Sequence, residues 1–132
     1  MATGLASGIA NSILDALCRS VAWSEPAAFF VKLHLGDPGA AGTNNPAAET
    51  TRQSVTFSAA AAGAITNSAA VTWTNVSTGE TYSHVSFWDT VGPAGGTFLG
   101  SDALNTPRTV IAGDDFQLPI GDVDLSLGAI AS

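Results

Sequence analysis

Beyond residue 26 the sequence consists of short runs of strand-forming residues, separated by turn sequences rich in Gly, Pro, Asn and Asp. The clearest run, residues 82–89 (YSHVSFWD), has bulky side chains at both alternating sets of positions, which predicts a strand covered on both faces. The other runs are 29–35, 52–57, 70–74, 97–99, 109–112, 116–118 and 123–127. About seven or eight short strands at intervals of roughly 8–12 residues are typical of antiparallel folds. We therefore predict a mainly β chain, either an antiparallel β-sandwich or a jelly-roll-like barrel.

Residues 1–25 follow a different pattern, that of one amphipathic α-helix. Apolar residues recur at every fourth position, and Leu14 and Cys18 lie beside them. The residues of this stripe are Leu5, Ile9, Ile13, Leu17 and Val21. Ser7 and Asn11 are candidate N-caps, and the Ser-Glu-Pro sequence at 24–26 should end the helix. We predict that the helix packs on or beside a single β-sandwich domain, residues 26–132, which has an exposed loop at 36–51.

The charge of the chain limits the partners it can bind. Only 11% of the 132 residues are charged, against about a quarter in an ordinary domain, and such depletion is typical of protein interfaces. The net charge is −7, and its four scattered cations are Arg19, Lys32, Arg52 and Arg108. This balance disfavours nucleic acid and anionic membrane surfaces as partners. We also expect no membrane span, no secretory signal and, with one cysteine, folding without a disulfide in a reducing cytoplasm.

The sequence offers few groups for catalysis or metal binding. His34 and His84 have no carboxylate or cysteine at ligand spacing, so we interpret both as structural. Cys18 is interpreted as a buried small hydrophobic residue. The densest acidic cluster is Asp114, Asp115, Asp122 and Asp124, which we assign to a turn and to the solvent face of a strand rather than to calcium. We predict no enzyme activity, no cofactor and no metal.

Contacts with other subunits are the remaining role for unusual residues. Trp73 and Trp88 are interpreted as core residues, whereas Trp23 is an equally good core residue or interface anchor. The long polar stretch 40–51 (AAGTNNPAAETT) is a candidate contact arm. The candidate interface residues are Leu5, Ile9, Ile13, Leu17, Trp23, Asn44 and Asn45.

Four sequence blocks resemble a family of small virion proteins of tailed bacteriophages, especially actinobacteriophages. Residues 33–39 (LHLGDPG) with Gly42 are similar to its L-H-x-x-D-P-G-x-x-G opening, and 52–57 (RQSVTF) to its R-Q-x-V-T-F block. Residues 84–89 (HVSFWD) followed by 95–99 (GGTFL) resemble its third block, and 113–127 its closing G-D…G-x-x-x-L-x-L strand. Members are labelled tail-fibre-like, minor tail or virion-surface proteins. The resemblance implies a structural role in the virion, and no catalytic residue is carried over.

Three functions follow as expectations. The first is capsid decoration, in which a homo-oligomer, a trimer being one candidate, binds the lattice of the major capsid protein. The second is a minor tail or tail-fibre-like protein that contacts tail subunits. The third, of another class, is a carbohydrate-binding module for host attachment, using the tryptophans and the long loop. In each case the protein is made in the host cytoplasm and located in the virion, on the capsid surface or the tail.

Overall fold

The computed structural model describes residues 3–128, which contain nine strands and one helix. They are β1 (Gly4–Leu5), α1 (Ser7–Arg19), β2 (Phe30–His34), β3 (Gln53–Ser54), β4 (Ala64–Thr66), β5 (Val71–Trp73), β6 (Glu80–Trp88), β7 (Phe98–Val110), β8 (Phe116–Leu118) and β9 (Asp124–Ser126). Residues 1–2 and 129–132, at the ends of the two predicted segments, lie outside the described residues.

All strand pairs among the described residues are antiparallel, and the predicted mainly β class with one N-terminal helix is confirmed. One sheet has five strands in the order β1-β7-β6-β2-β3, and two smaller sheets pair β4 with β9 and β5 with β8. The sheets formed by residues 3–128 do not close into a barrel.

The core lies between the large sheet and the β5–β8 pair. Val31 and Leu33 on β2 face Phe87 and Val85 on β6, and all four side chains are fully buried. Across the core, the ring of Phe116 on β8 lies 4.9 Å from that of Tyr82 on β6 and 5.8 Å from that of Trp73 on β5. Each such buried side chain contributes about 1.5–3 kcal/mol relative to exposure. The period-two pattern of β2 and β6 is therefore what fixes the register of the sheet.

Strand β7 differs from the prediction, because the runs 97–99 and 109–112 belong to one continuous strand. The register with β6 shifts between the Tyr82–Arg108 and His84–Ala103 pairs, so residues 104–107 have no register partner on β6. Pro107 lies in this bulge, where its missing N–H costs no ladder hydrogen bond. The polar segment that separates the two predicted strands is therefore a bulge within one strand.

The N-terminal segment also differs from the prediction. Leu5 lies in β1, not in the helix, and pairs with Gly100 of β7. A Cβ at residue 100 would lie 2.7 Å from the carbonyl oxygen of Gly4, so a glycine is needed for this close strand pairing. Ala6 precedes α1 without a side-chain cap, so the predicted caps Ser7 and Asn11 are wrong.

The helix ends at Arg19, before the predicted stop at residues 24–26. Ser20 adopts a left-handed conformation with φ of 55°, and its N–H and that of Val21 both donate to the carbonyl of Asp15. These bonds end the helix by satisfying a carbonyl of its last turn. Trp23 therefore lies in the non-helical segment after α1, several residues from its end.

A buried asparagine joins the smaller sheets at their turns. Asn67, fully buried after β4, donates from Nδ2 to the carbonyls of Ala69 (2.8 Å) and Pro119 (3.1 Å). Its Oδ1 accepts hydrogen bonds from the N–H groups of Gly121 (2.8 Å) and Val123 (3.1 Å). One side chain thus satisfies four backbone groups in the two segments that lead out of β4 and into β9.

Candidate assembly surface

Helix α1 buries none of its 13 residues. Leu14 is 57% exposed, Leu17 78% and Val21, just past the helix, 44%. Ile9 and Ile13 are half-buried, and Ile9 packs against the core. The predicted stripe therefore does not form one face: a spacing of four residues drifts by about 40° per step around a helix of 3.6 residues per turn. Ile9 is directed to the β domain, while Leu17, two steps on, is left in solvent.

An apolar groove of about 250 Å³ separates α1 from the β4–β9 pair. Its lining is almost wholly apolar: Leu5, Ile13, Ala60, Gly63, Ala64, Ile65, Leu125, Ser126 and Leu127. Ile13 precedes Leu17 by one helical turn, so the groove and the exposed face of the helix are neighbouring parts of one apolar surface. Leu127, at the end of the groove, is itself 48% exposed.

A second cleft, of about 370 Å³, lies between the N-terminal half of α1 and the segment at residues 23–26 that follows the helix. Trp23, Asp89 and Thr97 line it, together with Ile9 and Ser12 of α1. Trp23 is half-buried, whereas Trp73 and Trp88 are buried at 1% and 7% exposure, as their core interpretation predicts. Trp23 is therefore the one of the three tryptophans with a ring available to a ligand or partner.

The loop 36–51 is attached closely to the sheet. Asn44 and Asn45 are exposed, but the carbonyl of Asn45 accepts a hydrogen bond from the N–H of Leu35, and its side chain donates to the carbonyl of Asp37. Gly42 is buried with φ of 73°, and a Cβ there would overlap the ring of Phe98. Neither asparagine lines the apolar groove or the Trp23 cleft.

A serine and a histidine lie in hydrogen-bond contact beneath this loop. The indole of Trp88 donates to Ser86 Oγ (2.7 Å), Ser86 Oγ lies 2.7 Å from His34 Nε2, and His34 Nδ1 lies 2.8 Å from the carbonyl of Asn44. With Nδ1 protonated, every polar atom in this chain of bonds is satisfied. Burial lowers the pKa of His34 and so favours the neutral ring. Ser86 and His34 are fully buried, and no carboxylate orients the ring, so this pair ties the loop to the sheet.

A buried arginine secures the neighbouring loop, residues 89–97. Arg52 is only 3% exposed, and its guanidinium lies 4.5 Å from the centre of the Trp88 ring. Its Nη1 is 3.0 Å from the carbonyls of Thr90 and Gly95 and from the Thr90 hydroxyl. Asp89 adds a bond from the N–H of Thr97 (2.7 Å). Residues of two of the sequence blocks thus hold in place the loop that forms one wall of the Trp23 cleft.

The residues of the predicted acidic cluster make separate contacts in the structure. Asp114 and Asp115 accept hydrogen bonds from the N–H groups of Ile111 and Asn75, and Asp122 pairs with Arg108 at 2.7 Å. Among the described residues, no three His, Cys, Asp or Glu side chains converge in a way that could hold a metal ion. Cys18, predicted to be buried, is exposed. Its position on α1 is covered by nothing in the described chain, because the domain contacts the helix through Ile9 and Ile13 instead.

Nothing in the sequence marks Asp102, whose partly buried carboxyl lies near the carboxylate of Asp124. It shares a small cleft with Gly4 of β1 and Asp124 of β9, and its Oδ2 is 3.4 Å from the N–H of Asp124. Burial and the nearby carboxylate of Asp124 raise the pKa of Asp102 to about 6. The folded chain therefore binds this proton more tightly than the unfolded chain, whose carboxyl titrates near 3.8.

We expect Asp102→Asn to raise the free energy of unfolding by about 1–2 kcal/mol at pH 8, after allowance for solvent screening. The ionised carboxyl destabilises the fold above about pH 6, and this penalty disappears as the pH falls toward 4. Urea denaturation between pH 4 and 8 should show the gain shrinking with falling pH. The exposed Glu25→Gln variant is the control, and an equal gain at every pH for Asp102→Asn would contradict this account.

The described chain thus joins a β domain, whose loops are held by the buried side chains of His34, Arg52 and Asn67, to a helix with Leu14 and Leu17 exposed. A model of the family described as Podophage GP4 fiber I protein gp80 matches residues 4–126. The chain belongs to this family, and it is a structural virion protein of the phage fibre type. The resemblance to tailed-phage virion proteins is confirmed. A search of curated proteins found no match. The helix of the described region is too short to cross a bilayer.

Proposed function

We propose that the chain is a structural subunit of the tail fibre apparatus of a tailed phage. The observation that carries the proposal is the match to a fibre protein family, which extends over residues 4–126 and so includes α1 and all nine strands of the described region. Capsid decoration is the competing location, and it uses the same module differently. A decoration protein covers a lattice, whereas a fibre subunit is present in the few copies that the symmetry of a tail allows.

The location is tested on intact virions with gold-labelled antibodies against the β domain, combined with quantitative mass spectrometry against the major capsid protein. The fibre proposal predicts label at the tail and a copy number that is a small fraction of that of the capsid protein. Label spread over the capsid, with copy numbers of the same order as the capsid protein, would overturn it in favour of decoration. Virions lacking the chain provide the background for both measurements.

A carbohydrate-binding function is a second candidate, supported by the cleft at Trp23. A half-buried indole beside the Asp89 carboxylate and the hydroxyls of Ser12 and Thr97 offers a stacking face and hydrogen-bonding groups in one place. If a host glycan binds there, Trp23→Ala should abolish retention on immobilised host-wall polysaccharide without changing the unfolding transition. Equal retention by Trp23→Ala and the native chain, or no retention by either, would remove this candidate.

A further inference from the structure

Residues 3–19, which we call the N-terminal arm, are weakly attached to the β domain. Strand β1 is only two residues long, and beyond it one main-chain hydrogen bond, from the N–H of Ala6 to the carbonyl of Leu99 (3.0 Å), continues the pairing. Helix α1 buries none of its residues, and its side-chain hydrogen bonds stay within the helix. A segment with so few buried contacts can open locally while the rest of the domain stays folded.

Asp102 lies beside the point where the arm joins the sheet. Its neighbour in β7, Ser101, pairs with Gly4 of β1. Thr3 and Gly4 of the arm line the cleft of about 130 Å³ that also contains Asp102 and Asp124. The arm therefore forms one side of the cleft that shields the Asp102 carboxyl from water.

The groups that face Asp102 make its ionised form costly while the arm is in place. From β9 it faces the carboxylate of Asp124, and from the preceding turn that of Asp122, which is paired with Arg108 at 2.7 Å. In the described region, β1 contributes no charged or titratable side chain, and the residue opposite Asp102 on β6 is Val85. The ionised carboxyl thus has a like charge beside it and limited access to water.

Opening of the arm would admit water to this carboxyl and so lower the free energy of its ionised form. Burial is the largest cause that raises the pKa of Asp102, from 3.8 to about 6. By thermodynamic linkage, an opening that weakens proton binding is itself favoured by loss of the proton. The proton therefore stabilises the docked arm at low pH, and this stabilisation is lost as the pH rises through about 6.

We propose that Asp102, facing Asp124, is a pH-sensitive switch for the N-terminal arm, which is held against the β domain while Asp102 is protonated and opens more often once both carboxyls are ionised. The arm carries the exposed Leu14 and Leu17, so ionisation changes how freely these residues can reach a neighbouring chain. The switch is built into the isolated chain, so its test does not depend on where the protein is located in the virion.

Hydrogen exchange at the N–H of Ala6, corrected for the intrinsic rate at each pH, measures how often the arm opens. The opening constant should rise about three- to tenfold between pH 4 and 8, because only the part of the pKa shift that the arm causes contributes. Asp102→Asn, which cannot ionise, should keep the low value at every pH, whereas the exposed Glu25→Gln should behave like the wild type. The N–H of Val76, buried and bonded to the carbonyl of Asp114 at 2.8 Å, reports on the β domain and should exchange more slowly.

The reverse experiment changes the arm and measures the carboxyl. A Cβ at residue 100 would lie 2.7 Å from the carbonyl oxygen of Gly4 and 3.2 Å from the Cα of Leu5, so Gly100→Ala should displace β1. The Asp102 carboxyl, followed by its carbon NMR chemical shift, should then titrate at least about half a pH unit lower than in the wild type. Gly128→Ala is the matched control, because a Cβ there meets nothing within 4 Å, and it should leave the titration unchanged.

Two results would each overturn the proposal. The first is an opening constant at Ala6 that stays the same from pH 4 to 8, or that changes only in step with that of Val76, because ionisation would then not act on the arm. The second is an unchanged titration of Asp102 in a folded Gly100→Ala chain whose Ala6 N–H has lost its protection, because the arm would then not shield the carboxyl.

Discussion

Replacing Asn67 with Ala should lower the free energy of unfolding by about 4 kcal/mol, the largest loss expected from any single polar side chain of the described region. The side chain is fully buried and bonds four backbone groups, at 2.8 to 3.1 Å. Truncation leaves two N–H groups and two carbonyls without these partners. Each buried unsatisfied group costs about 1–3 kcal/mol, and partial hydration of the vacated space reduces the sum. Chemical denaturation monitored by tryptophan fluorescence measures the loss.

Asn105→Ala is the matched control for this experiment. Asn105 is exposed and makes one side-chain bond, from Nδ2 to Asp122 at 3.1 Å, so its loss should cost less than about 1 kcal/mol. Asn67→Asp retains the two acceptor bonds but loses both donor bonds and buries a charge, so it should also destabilise strongly at neutral pH. A loss for Asn67→Ala as small as that for Asn105→Ala would show that this side chain does not hold the turns together.

Arg52→Met should lower the free energy of unfolding by about 3 kcal/mol and loosen the loop 89–97. Methionine preserves much of the apolar stem but removes the contacts with the Thr90 and Gly95 carbonyls and the cation–π contact with Trp88 at 4.5 Å. Carbonyls left unpaired and a lost cation–π interaction account for losses of this size. Hydrogen exchange at the N–H of Thr97, which bonds to Asp89 at 2.7 Å, should accelerate by at least about tenfold.

Lys32→Met provides the control because Lys32 reaches the same loop. Its Nζ lies 3.5 Å from the carbonyl of Pro93, at the limit of a hydrogen bond, and the side chain is only half-buried. A loss below about 0.5 kcal/mol, with no change at Thr97, is expected. Similar losses for the two variants would mean that charge near the loop, rather than the geometry of the guanidinium, holds it in place.

The sequence predicts those elements whose side chains repeat with a clear period. Strands β2 and β6 were predictable because large apolar residues recur at every second position, which matches the pleat of a sheet with a buried face. These residues are Val31 and Leu33 on β2 and Val85 and Phe87 on β6. Strand β1 was not, because two residues carry no period and the pairing depends on the space left by Gly100. The same holds for β4, which begins at Ala64 and has only three residues, too few to show a period.

The candidate surface was predicted only in part. The sequence identifies an apolar helix near the N-terminus, but a stripe with a spacing of four residues cannot tell which members face the domain. The structure leaves Ile9 half-buried and Leu17 in solvent, because a stripe with this spacing drifts by about 40° per step around the helix. Asn67 and Arg52 were missed as key residues for a different reason. Their importance depends on partners far away in the sequence, and a single polar residue gives no local signal of such contacts.

We expect the exposed residues Leu14 and Leu17 of α1 to contact a neighbouring chain in the virion. Electron cryomicroscopy of the intact phage tail, at a resolution that shows side chains, tests it most directly. We expect density for this chain in the fibre apparatus, with Leu14 and Leu17 buried against a neighbouring chain. Density on the capsid lattice, or in the tail with Leu14 and Leu17 facing solvent, would contradict it.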